Sequence, residues 1–309
     1  MSNTLSTISA VLIVRNEATH IKRCLDTLCG YDEVVIVDTG STDGTQDICQ
    51  LYHNNNKNVY KIYEDYLWND NFAEARNHAL SKATSEWCLS IDADEYMVST
   101  ANDVRDILSK LPRIKDDTLC VSVKCISEDG SMSFYRPLLF RNNKEVLWSG
   151  AVHEYLVHKD GVQLHSQLSE ITKVFGYSDS HKQDPNRNLR ILFKELENNN
   201  KDSRTLFYIM REYWDKRDYD NTLKFAEEFL TVGTWLPEVC EALLIKAKVL
   251  WYTEQGTKSR EVCTECIKLN PMFAEALRFM SEIHYEPWKS KWLRLSEVCD
   301  NSDVLFVRK

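Results

Sequence analysis

Trp87-Cys88-Leu89-Ser90-Ile91-Asp92-Ala93-Asp94-Glu95 is the stretch whose reading decides the fold. Its first half is a short apolar run, the pattern of a strand buried on both faces of a parallel sheet. Asp92 and Asp94 then emerge from the C-terminal end of that strand, where open α/β sheets bind their ligands. Carboxylates at i and i+2 leave a breaking strand in the same direction, and hard oxygen ligands of this kind suit Mg²⁺ or Mn²⁺ on a diphosphate. A solvated acidic turn has the same residues, so the surrounding pattern must discriminate.

Upstream, strands and helices alternate. Residues 9–14, 33–37 and 58–63 read as strands, and 17–28, 44–52 and 72–82 as helices. In 17–28 the apolar positions Ala18, Ile21, Cys24, Leu25 and Leu28 have helical spacing. This order predicts right-handed crossovers and a parallel sheet covered by helices on both faces. After a short helix at 103–111, the segments 118–126, 134–140 and 146–148 read as shorter strands of a mixed β region. From about Asp184 the strands stop. Segments 186–197, 203–216, 219–230, 237–253, 257–269 and 272–283 read as amphipathic helices joined by brief turns. Pro237 and Pro271 stand 34 residues apart, the tetratricopeptide period, whereas aligning Thr222 with Ser259 gives 37. A plain helical bundle is the competing description. The expected division is an α/β domain over 1–183 and an all-α domain over 184–309.

The 309 residues are 43% hydrophobic, enough for a substantial core. A net charge of −9 argues against a broad nucleic-acid-binding face. No apolar run is long enough to span a membrane. The opening MSNTLSTISAVLIV lacks the basic region of a secretion signal and reads as a first strand. Ten cysteines scattered through strands and helices predict reduced thiols and a cytoplasmic protein. Cys263 and Cys266 form a CxxC without a second pair or histidine couple, so zinc is not expected.

Three further stretches bear on chemistry. Asp38 directly follows the second strand and opens Asp38-Thr39-Gly40-Ser41-Thr42-Asp43-Gly44-Thr45. A carboxylate leaving the sheet there can accept a hydrogen bond from a pyrimidine N–H, and Asp43 or Thr42 can cap the next helix. Phe72-Ala73-Glu74-Ala75-Arg76-Asn77-His78-Ala79-Leu80 puts Arg76 among apolar neighbours. Its fork needs an anion, either a donor diphosphate or an acidic side chain in a structural salt bridge. Trp148-Ser149-Gly150-Ala151-Val152-His153-Glu154 sets an imidazole beside a carboxylate after a strand. His153 or Glu154 then becomes a candidate general base, although such pairs also serve as simple loop hydrogen bonds.

Taken together, Val14-Arg15-Asn16-Glu17, the Asp38–Thr45 turn, the Arg76 helix, Asp92-Ala93-Asp94-Glu95 and Gly150–Glu154 resemble a family-2 glycosyltransferase of the GT-A fold. The similar subgroup carries a tetratricopeptide-like C-terminal half and includes lipopolysaccharide-core glucosyltransferase-like proteins and peptide cysteine S-glycosyltransferases. The resemblance implies that Val14, Glu17 and Asp38 line the nucleotide base and ribose. It implies that Arg76 and Asp92, with Ala93, face the ribose and diphosphate, that Asp94 binds Mn²⁺ or Mg²⁺, and that Glu154 is the base with His153 beside it. One departure stands out: the subgroup has a metal-binding histidine before a Gly-Tyr pair, and here Val174 occupies that position before Gly176-Tyr177. His181 is the expected substitute, with His165 a more distant one.

The expected activity is inverting, metal-dependent transfer of a hexose from UDP-glucose or a UDP-N-acetylhexosamine to a hydroxyl or thiol. The acceptor stays open among a glycan or lipid, a peptide, and a hydroxylated DNA base. Helical repeats commonly present partner surfaces. Lys182, Arg187, Arg190, Lys194 and Arg204 could serve a phosphate-bearing acceptor, or form an ordinary solvated face. The alternative class is a decayed GT-A protein acting as a binding module, motivated by the missing histidine. A nucleotidyltransferase would need a glycine-rich loop after the first strand, and VRNEATH contains no glycine.

Overall fold

The computed structural model describes residues 6–111, 119–161, 164–176, 184–198, 202–299 and 307–308. The chain divides into two compact units, with the boundary between Pro185 and Asn186.

The first unit is built on strands β1 (Ile8–Val14), β2 (Glu33–Asp38), β3 (Tyr60–Tyr63), β4 (Trp87–Ser90), β5 (Tyr96–Met97), β6 (Leu119–Ser127), β7 (Met132–Arg141), β8 (Val146–Ser149), β9 (Tyr155–His158) and β10 (His165–Phe175). The main sheet runs β3-β2-β1-β4-β7-β6-β10-β5, and β8 and β9 form a separate hairpin. β1 pairs in parallel with both β2 and β4, while β7 lies antiparallel to both β4 and β6. This is a GT-A-like mixed sheet, parallel where the first βα units wind and mixed beyond β4. Every residue of β2 and β4 is buried, which explains their unbroken apolar runs.

Helices α1 (Ile21–Thr27), α2 (Thr45–Asn55), α3 (Phe72–Lys82) and α4 (Ala101–Lys110) complete this unit. α1 starts four residues later than its apolar spacing suggests. The Glu17 carbonyl accepts from both His20 N and Ile21 N at 2.9 Å, closing a turn before the helix. Asn71 caps α3, accepting from Glu74 N at 3.0 Å, and Thr100 and Asp103 form a capping box on α4.

Strands β5, β9 and β10 have no counterpart in the sequence pattern. β10 begins His165-Ser166-Gln167-Leu168 with all four residues exposed, so no apolar alternation announces it. It is ordered by parallel pairing along β6, with Ser166 opposite Cys120 and Phe175 opposite Ser127.

The second unit is all-helical: α5 (Arg187–Asn198), α6 (Ser203–Asp215), α7 (Tyr219–Val232), α8 (Leu236–Tyr252), α9 (Gly256–Leu269), α10 (Ala274–Glu282) and α11 (Trp288–Val298). Each helix packs on the next in sequence. α11 lies beyond the periodic segments read from the sequence. Cys263 and Cys266 are fully buried in the core between α8, α9 and α10, donating to the carbonyls of Ala276 and Cys240 at 3.4 and 3.3 Å. They behave as small packed hydrophobes.

Candidate active site

The loops after β1 and β2 are stapled to each other. Asn16 N donates to Ser41 Oγ at 2.9 Å, and Thr42 N donates to Asn16 Oδ1 at 2.8 Å. Glu17 N donates to Thr45 Oγ1 at 2.8 Å, and Ala18 N to Asp43 Oδ2 at 3.0 Å. Asn16 tolerates φ 56°, and Gly40 and Gly44 take φ 105° and 94°, which only glycine adopts without strain. The α2 cap position is Gly44 itself. Asp43 stands one residue before the cap and accepts from Thr45 N at 3.0 Å.

Val14 and Asp38 are register partners at the C-terminal ends of β1 and β2. Asp38 Oδ1 is saturated by Gly40 N, Ser41 N and the Gln46 side chain at 2.9, 2.9 and 3.0 Å. Its Oδ2 is buried without a partner among the described residues. An unmet buried carboxylate oxygen is costly, and a ligand N–H satisfies it.

The acidic stretch divides into unequal roles. Asp92 Oδ1 accepts from Arg76 Nη2 at 2.7 Å, and Asp92 N donates to Glu95 Oε2 at 2.9 Å. Burial opposes ionisation of Asp92, but Arg76, Lys173 and Arg136 overcome it and hold the carboxyl at about 2. Asp94 is the opposite case: burial, reinforced by Asp92, Glu95 and Glu17, pushes it up to about 7. That local excess of negative charge is one a divalent cation relieves, and a carboxylate is the right donor for Mg²⁺ or Mn²⁺. Ala93, between the two aspartates, is buried.

Arg76 ties this stretch to the Gly150–Glu154 loop. Its Nε donates to Glu154 Oε1 at 2.5 Å, and its guanidinium carbon lies 5.2 Å from the centre of the Trp148 ring. The fork is therefore engaged by two carboxylates of the chain, the salt-bridge reading of this residue. Burial opposes the charge on Arg76, but Asp92 and Glu154 raise its affinity for the proton. Burial likewise pushes Glu154 up, but Arg76 outweighs it and holds Glu154 below the usual glutamate range. Asn77, next to Arg76, accepts from Trp148 N at 2.8 Å and donates to Trp148 O at 2.9 Å. Phe72 N donates to Ala151 O at 2.8 Å, so α3 holds the loop at both ends. His153 adopts φ 54° within that loop.

Val174 sits in β10 opposite Tyr96 of β5, with Gly176 packed so close to the Asp94 carbonyl that an added Cβ would lie 2.9 Å from it. The position before Gly176 thus lies beside the acidic loop, but Val174 offers no ligand atom. His165 is at the far end of β10, about 30 Å away along the strand, too far to substitute. His181, Tyr177 and Lys182 fall outside the described residues. Arg187, Arg190 and Lys194 lie along α5, and Arg204 on α6 faces Glu238 at 3.7 Å. A separate grouping of Glu145, His158 and Asp160 on the β8–β9 hairpin is partly neutralised by Lys159, 2.6 Å from Glu145.

Sequence reasoning passed over Lys173 and Arg136. Lys173 is 1% exposed and forms an ion pair with buried Glu95. A lysine alternating with Ile171 and Phe175 in a strand demands a buried counter-ion, and that signal was available.

Residues 9–153 match the family described as Glycosyl transferase family 2, and this part of the chain is a family-2 glycosyltransferase domain. The chain is 34% identical over 151 residues to the SPbeta prophage-derived glycosyltransferase SunS of Bacillus subtilis, covering 48% of this chain and 34% of that one. It is also 34% identical over 110 residues to the lipopolysaccharide core biosynthesis glycosyltransferase LpsC of Rhizobium meliloti, covering 36% and 38%. It thus spans little more than a third of the length of these curated relatives. Among solved structures, S. aureus TarS 1–349 in complex with UDP-GlcNAc aligns at a TM-score of 0.46 and 15% identity, covering 94% of this chain and 90% of that one. Among the described residues no helix is long and apolar enough to cross a membrane.

Proposed function

We propose that the chain is an inverting glycosyltransferase that moves a hexose from a UDP-sugar to an acceptor hydroxyl or thiol. The observation that carries this reading is the Arg76 bridge, which joins Asp92 of the acidic stretch to Glu154 of the loop after β8. A single guanidinium thereby fixes a carboxylate on the donor side and a carboxylate on the acceptor side of one cleft. The buried, unmet Oδ2 of Asp38 supports a pyrimidine N–H at the ends of β1 and β2, with Val14 and Glu17 beside it.

Glu154 is ionised at neutral pH, held so by Arg76, and accepts the acceptor's proton as the nucleophile attacks the anomeric carbon. Low basicity makes that transfer late, after the hydroxyl or thiol has acidified by bonding to carbon. Asp92 and Ala93 face the ribose and diphosphate. Asp94 would hold Mn²⁺ or Mg²⁺, whose chemistry there is to neutralise charge developing on the leaving diphosphate. The similarity of the domain to the lipopolysaccharide core biosynthesis glycosyltransferase LpsC supports a saccharide acceptor. The helical unit supports a docking role in the manner of tetratricopeptide repeats, and the chain's free thiols support a reducing compartment.

Val174 favours a second reading, a GT-A-like module that binds nucleotide without turnover. Calorimetry with UDP and Mn²⁺, alongside a nucleotide-sugar panel scored by slow donor hydrolysis, separates the two. Binding that depends on Asp94 together with hydrolysis establishes the enzyme. UDP binding with no hydrolysis of any donor leaves the module, and no nucleotide binding at all refutes both.

A further inference from the structure

Arg136 stands apart from the other cations of this cleft. β7 runs antiparallel to β4 with Cys88 opposite Phe140 and Leu89 opposite Leu139. Continuing that register past the end of β4 brings Arg136 level with Asp92. Arg136 stands at a narrow gap lined also by Arg76, Asp92, Glu95, Trp148 and Lys173. Its charge reaches both Asp92 and Glu154. Arg76 is bonded to those two carboxylates and Lys173 to Glu95, whereas half-buried Arg136 makes no hydrogen bond or ion pair among the described residues. Its five N–H donors, carried on a backbone clamped between β4 and β6 and half-exposed, are thus available to a ligand.

We propose that Arg136 contacts the transferred sugar and sets donor specificity, donating to hexose hydroxyls while the second oxygen of Asp92 accepts from them. The proposal rests on the glycosyltransferase reading above. In-line displacement requires the anomeric carbon to lie between the leaving diphosphate at Asp94 and the attacking group at Glu154. Arg136 is level with Asp92, and Arg76 bonds both Asp92 and Glu154, so Arg136 lies beside that path. Arg76, Lys173 and Arg136 are set against Asp92 and Glu95 at the gap and against Glu154 beyond Arg76, so the group as a whole is neutral. No net positive potential draws an anion, and an uncharged polyol meets donors and acceptors alike.

Calorimetry and donor hydrolysis on the full chain with Mn²⁺ test this, using UDP, UDP-glucose, UDP-galactose and UDP-N-acetylglucosamine as probes. Arg136→Gln and Arg136→Lys should leave the Kd for UDP within about twofold of wild type. They should raise the Kd and KM of the preferred UDP-sugar by about tenfold or more, the effect of losing a charged hydrogen bond. Preference between the epimers glucose and galactose should shrink, with Arg136→Lys retaining part of it, and circular dichroism should report an unchanged fold. Loss of UDP affinity equal to that of the UDP-sugar would make Arg136 a diphosphate contact and overturn the proposal. So would unchanged donor KM and preference. A wild-type chain that binds no UDP overturns the glycosyltransferase reading as well, which keeps the two failures distinct.

Discussion

Asp94→Asn should make the metal-free chain more stable while removing its response to a divalent cation. In the fold, burial together with Asp92, Glu95 and Glu17 raises the carboxyl from 3.8 to about 7. At about 1.4 kcal/mol per pH unit, ionised Asp94 disfavours the folded state by up to about 4 kcal/mol. Asp94 is partly exposed, and solvent screening brings the usable figure to about 2 kcal/mol. The sign follows from proton counting. Between about pH 4 and pH 7 the native state holds more protons than the unfolded chain, so stability falls as pH rises through that window. Asparagine fills nearly the same space without the charge. The metal-free variant should therefore melt about 4–8 °C above wild type near pH 8 and level with it near pH 4. Mn²⁺ should raise the wild-type Tm near pH 8 by mass action and leave the variant's unchanged. Thermal unfolding followed by circular dichroism, with and without Mn²⁺ at several pH values, measures both effects. A variant that melts below wild type near pH 8, or responds to Mn²⁺ equally, would refute the claim that these acidic groups form an electrostatic deficit awaiting a cation.

Four other outcomes follow from the same geometry. Arg76→Ala leaves Asp92 and Glu154 without their shared counter-ion and should cost about 3–5 kcal/mol in urea unfolding, and Arg76→Lys, which cannot span both, should fold better yet stay inactive. Lys173→Met should destabilise by a similar ~3–5 kcal/mol, and pairing it with Glu95→Leu should restore much of the loss, a double-mutant cycle that reports the buried pair. Glu154→Gln should keep UDP affinity by calorimetry while abolishing transfer, and a variant that transfers normally places the base elsewhere. Asp38→Asn can still accept the loop N–H groups but presents an amide donor where Oδ2 now lies, so UDP affinity should fall about 10–100-fold.

Local patterns carried far because strands buried on both faces cannot hide their composition. β1, β2 and β4 read as apolar runs, α3 was legible to the residue, and the acidic and small-residue turns at their C-terminal ends followed from the logic of α/β sheets. β10 was invisible because its exposed first half has no hydrophobic period, and its order comes from β6. Arg76 was open between a ligand phosphate and a side-chain partner, since a sequence shows that a buried guanidinium needs an anion but not which one.

By itself, then, the sequence determined the layer architecture, the switch from alternating strands and helices to helices alone, and the carboxylates at the strand ends. Those are properties of short windows, governed by the two- and 3.6-residue periods and by turn chemistry. Only the tertiary structure decided that Arg76 reaches Glu154 across 78 residues of chain while also bonding Asp92, that Lys173 neutralises Glu95, and that Arg136 stands beside them with no partner among the described residues. Charge pairing acts through space and depends on distance and local dielectric, and neither is written in the order of residues along the chain.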